Sequence, residues 1–81
     1  MNTTQYTKIV CYIHTGHKIP VLVAQDCTDC VAEIGVDAIE ENLSDTYYGK
    51  GEILCLGVFE DGHADSEIEH WNKVIEAISE V

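Results

Sequence analysis

The sequence predicts an α+β domain in the order β-β-α-β-α, a three-stranded mixed sheet with two amphipathic helices on one face. Three observations carry this prediction. Apolar or alternating runs bounded by turn residues fall at 6–13, 19–24 and 52–59. Helical periodicity occupies about 26–43 and 66–80. Finally, 81 residues at 46% hydrophobic content make one packed domain, 1–81, with no room for a second core.

In the first run Ile9, Cys11 and Ile13 share one face and Tyr6, Val10 and Tyr12 the other, so both sides of this strand invite cover. His14-Thr15-Gly16-His17-Lys18 reads as a glycine-containing hairpin connection. Pro20, near the start of the second strand, favours an edge position. Asp26 supplies an N-cap for a helix expected to reach about Leu43. Glu52 to Phe59 is the most continuously apolar run and predicts an interior strand buried on both faces. Asp61-Gly62 ends it, and Ser66 followed by Glu69 has the capping-box spacing that opens a second helix. A right-handed crossover would then set the second and third strands parallel.

Charge is distributed unevenly along this pattern. Residues 1–25 hold Lys8 and Lys18 and no carboxylate, whereas residues 26–81 hold all 15 acids against Lys50 and Lys73, giving a net charge of −11. A strongly acidic chain repels phosphate and anionic membranes and attracts basic surfaces, which excludes direct nucleic-acid binding as an expectation. On a helical wheel Val31, Ile34, Ala38 and Asn42 form one side of the first helix, widened by Ala32, Gly35 and Ile39. Asp29, Glu33, Asp37 and Glu40 form the other, with Glu41 and Asp45 trailing off it. In the second helix Ile68, Trp71, Ile75 and Ile78 make the buried stripe, opposite Asp65, Glu69, Glu76 and Glu80. Like charges four apart cost about 0.2–0.5 kcal/mol per pair, and their spacing approaches the roughly 6–7 Å between successive phosphates along one strand.

These nine carboxylates are the expected partner-binding residues, and a basic, nucleic-acid-binding protein is the expected partner. In size and charge the chain resembles small acidic inhibitors of phage or mobile-element origin, such as anti-restriction, anti-CRISPR and glycosylase-inhibitor proteins. That likeness of character implies a non-enzymatic nucleic-acid mimic; no motif is shared, so no site residue is carried over. Acidic faces that serve only solubility produce the same pattern. A homodimer packed through the sheet face that two helices leave open is an alternative reading.

Chemical sites are fewer. Cys27-x-x-Cys30 opens a helix after a strand, the context of a thiol-redox motif. Asp26 and Asp29 flank it, however, and would oppose thiol activation. His14, His17, Cys27 and Cys30 form a zinc-type set on paper, but the strand between them separates the two pairs by more than about 20 Å. His63, Glu67 and His70 would share a helix side if helical geometry reached back to His63. No cofactor and no metal are therefore expected. No run of about 18 apolar residues occurs and no basic region precedes an apolar one at the N-terminus, so a cytoplasmic, reducing location is expected.

Overall fold

The computed structural model describes residues 4–80. Its elements are β1 (Tyr6–His14), β2 (Val21–Asp26), α1 (Thr28–Ile34), α2 (Val36–Tyr47), β3 (Gly51–Glu60) and α3 (Asp61–Ser79). The α+β class holds, and the three strands lie where the apolar runs place them. The sheet order is β2-β1-β3, and both pairings are antiparallel. The expected mixed sheet is thus corrected. β2 and β3 never pair, because β1 lies between them and pairs with both.

Side-chain alternation along β1 sorts the core into two halves. Val10, opposite Val23 and Leu56, clusters with Cys27, Ile39 and Leu43, so α1 and α2 cover this face. Ile9 and Cys11 are fully buried and point the other way, opposite Gly57 and Cys55. There α3 covers them, tied down where the Cys55 thiol donates to Glu67 Oε2 at 3.8 Å. Helices on both faces replace the expected single helical layer, and the open sheet face proposed for a homodimer does not exist. The extents agree with three layers on a narrow ribbon: 47 × 25 × 12 Å. Three strands at about 4.8 Å spacing span about 10 Å, matching the shortest dimension.

β3 is an edge strand, not an interior one. Its run is apolar because both of its faces are covered, which says nothing about neighbours in the sheet plane. Between Cys11↔Cys55 and Tyr12↔Ile53 the register slips by one residue, leaving Leu54 as a bulge.

Two helix boundaries also differ from expectation. The first helical segment breaks at Gly35, whose φ of 87° and ψ of 163° end α1 and begin α2. A conformation with positive φ and extended ψ belongs essentially to glycine. Downstream of the break Ile39, at the margin of the expected stripe, and Leu43 are buried while Asn42 of that stripe is exposed; Ile34, before the break, is exposed too. α3 begins at Asp61, immediately after β3, with the Asp61 N–H donating to Gln5 O at 3.0 Å. Ser66 is therefore inside the helix, where its hydroxyl donates to Gly62 O at 3.4 Å instead of capping.

Candidate functional site

Two features bear chemistry: the segment around Cys27 and Cys30, and the carboxylate faces of α2 and α3. The first is built where β2 turns into α1. Asp26 Oδ1 accepts from the Thr28 N–H at 3.0 Å and from the Thr28 hydroxyl at 2.6 Å, which holds the Asp26 carboxyl below its ordinary range. Tyr6 N–H in turn donates to Thr28 Oγ1 at 3.0 Å, fastening the turn to β1. Cys27 is the residue at the helix N-cap and is buried; Cys30 is exposed. Burial pushes the Cys27 thiol up, and nearby Cys30 and Asp26 add to the rise while Lys8 opposes it. A redox cysteine needs the opposite shift, because the thiolate is the nucleophile.

Both cysteines face a cavity of about 360 Å³ between β2 and the α1–α2 pair, lined also by Lys8, Val23, Gln25 and Ile34. Volume of this order suits a small ligand. Yet Lys8 is the only cation among its lining residues.

The metal sets do not assemble. Among the described residues no three His, Cys, Asp or Glu side chains converge as a metal site would require. His14 and His17 stack at the hairpin tip, ring centroids 5.2 Å apart and nearly parallel. Cys27 lies at the opposite end of the sheet, its N–H donating to Tyr6 O. His14 Nδ1 carries a proton, since its partner at 2.8 Å is the Lys50 carbonyl, which only accepts. Helical geometry does reach back to His63, but Glu67 is turned to the sheet, where Oε2 accepts from Trp71 Nε1 at 3.0 Å. His63 and His70 remain exposed.

Of the nine expected partner-binding carboxylates, Asp29, Glu33, Asp37, Glu41, Asp65, Glu69, Glu76 and Glu80 are exposed, and Glu40 is half-buried. Gly35 divides the first set, so Asp29 and Glu33 on α1 do not continue the line of α2. The unbroken row on α2 is Asp37, Glu41 and Asp45, each one turn from the next and all exposed. Four residues of helix rise about 6 Å, which sets their spacing along the axis. Asp45 was read from sequence only as a residue at the margin of the acidic side; it stands in the exposed row because Ile39 and Leu43 turn the opposite side of α2 to the core. On α3, Asp61, Asp65 and Glu69 form a second row, closed by Lys73, whose Nζ lies 3.3 Å from Glu69 Oε1. That pair is exposed on both sides and contributes little stability.

No helix among the described residues is long and apolar enough to cross a membrane. Comparison with family models, with curated proteins and with solved structures finds no match.

Proposed function

We propose that this chain is a non-enzymatic binding protein that engages a basic, nucleic-acid-binding partner protein through its acidic helices, in the manner of a nucleic-acid mimic. The observation that carries this reading is the exposed row Asp37, Glu41 and Asp45 on α2, at one-turn spacing and with no Lys or Arg within the helix to neutralise it. Such a row incurs like-charge repulsion at each step, which an incoming cationic surface relieves. A groove that uses Lys and Arg to grip phosphates about 6–7 Å apart along one strand meets a comparable spacing here. The raised Cys27 thiol and the absence of a converging metal set among the described residues leave the acidic faces as the better-supported site.

The test is a tagged pull-down from nuclease-treated lysate, repeated with Asp37, Glu41 and Asp45 all changed to lysine. A specific basic protein should be retained by the native chain and displaced by duplex DNA or RNA. The reversed variant and about 1 M salt, where the Debye length is about 3 Å, should each abolish retention. Retention that survives both would falsify the acidic-row reading.

A further inference from the structure

The two edges of the sheet are defended very differently. β3 carries the Leu54 bulge in its interior, Glu52 near its start and Glu60 at its end, devices that prevent another strand from adding to an edge. β2, reading Val-Leu-Val-Ala-Gln-Asp, has no bulge in its pairing with β1, no proline within it and no charge before its last residue. Among the described residues nothing pairs with its outer edge.

The hydrogen-bond phase of β2 follows from one contact. The Cys27 N–H donates to Tyr6 O at 2.9 Å, in the same register as the Tyr12↔Val21, Val10↔Val23 and Lys8↔Gln25 pairs. Hydrogen-bonded pairs alternate in an antiparallel ladder. Val21, Val23 and Gln25 therefore bond to β1, while Leu22, Ala24 and Asp26 turn their N–H and C=O groups outward.

We infer that β2 is the edge through which two copies of this chain join, antiparallel about a twofold axis at Ala24, into one six-stranded sheet. This register pairs Ala24 with its own symmetry mate and Leu22 with Asp26 of the other copy, so all three outward residues find partners. Charge selects the occupant. A chain of net charge −11 opposes a second copy at most approaches, but residues 1–25 contain no carboxylate, and the pairing edge holds one, Asp26, at its end and away from the axis. The β3 edge, with Glu52 and Glu60, lies on the far side of β1. The apolar surface agrees: Val21 is 45% exposed, Val23 two residues on lines the cavity with Gln25 and Ile34, and the pairing would bring the two cavities side by side. The acidic rows of α2 and α3 take no part, so this association and the binding of a basic partner stand or fall separately.

Sedimentation equilibrium of the full chain under reducing conditions, in about 0.1 M and about 1 M salt, reads the state directly. The expected result is a species of twice the 9.0 kDa protomer, tighter at the higher salt. Ala24 is exposed, so Ala24→Lys leaves the protomer intact while setting two like charges together on the axis. It should weaken association about tenfold or more, with an unchanged circular dichroism spectrum. Ala24→Pro removes one outward N–H and no bond to β1, and should act likewise. In the native chain the Leu22 and Ala24 amides should exchange with solvent more slowly as protein concentration rises, a reading that needs no variant. A monomer at every concentration and salt overturns the inference. So does a dimer that Ala24→Lys leaves as tight, or amide exchange at Leu22 and Ala24 independent of concentration. The triple lysine reversal on α2 should leave dimerisation in place.

Discussion

Replacing Gly35 with alanine isolates the cost of the break between α1 and α2. With φ at 87° and ψ at 163°, residue 35 occupies a region that L-residues other than glycine all but avoid. A Cβ placed there would meet nothing within 4 Å, so the penalty is backbone strain and not collision. Strain of this kind costs about 1–3 kcal/mol. Alanine also narrows the unfolded ensemble, which returns about 0.4–1 kcal/mol. The net destabilisation is then about 0.6–2 kcal/mol, and at about 4–8 °C per kcal/mol for a domain of this size Tm should fall by roughly 2–16 °C. Thermal and urea denaturation followed by circular dichroism measure it. D-Alanine at the same position, introduced by chemical synthesis, prefers positive φ and should hold or raise Tm. An unchanged or higher Tm for Gly35→Ala, with a loss for the D-alanine protein, would refute the strain account and favour one straight helix across residues 28–47.

Other perturbations probe the core and the buried thiols. Ile9 is completely buried under α3, so Ile9→Ala should cost about 2–5 kcal/mol in urea denaturation, and Ile9→Val about 0.5–1.5 kcal/mol. Glu67→Ala leaves Trp71 Nε1 and the Cys55 thiol without their shared acceptor; it should cost about 1–3 kcal/mol and shift the emission of the single tryptophan. Burial raises the Cys11, Cys27 and Cys55 thiols above their ordinary range. Their contribution to stability is full below the unfolded thiol pKa, about 8.5, and declines as pH rises from there through the higher folded values. Tm in reducing buffer should therefore fall on the alkaline side, and a variant with all three changed to alanine should show a shallower fall; equal slopes would count against it.

The residues that made the fold legible also explain where reading stopped. Ile9, Val10 and Cys11 are apolar in succession, and that both-faced pattern marks β1 as covered above and below. The same pattern in β3 suggested neighbours on both sides, but apolar faces report the layers above and below a strand, not its place within the sheet. Gly35 lies within a run of good helical periodicity, so nothing in the wheel distinguished a tolerated glycine from a break. Ser66 and Glu69 have capping-box spacing by composition alone. α3 starts five residues earlier because the chain leaving β3 is anchored by the Asp61–Gln5 hydrogen bond, a contact between residues distant in sequence. The carboxylates of the candidate site were visible as exposed faces. The row Asp37, Glu41 and Asp45 shows in its four-residue spacing, but that it lies opposite the buried side of α2, Ile39 and Leu43, does not.

The central position of β1 has a consequence for synthesis. The strand made first is the one that needs two neighbours, and they arrive at different times. β2 follows after a short turn, but β3 closes the other side only when residue 60 has been made. At about 5–20 residues per second, the 46 residues from His14 to Glu60 take roughly 2–9 s to translate. Once β2 has paired, the growing chain still presents the other edge of an apolar strand until β3 is made. Seven of the 15 carboxylates, from Asp26 to Asp45, emerge before β3 does. Mutual repulsion between neighbouring nascent chains is thus in place before the fold can protect itself.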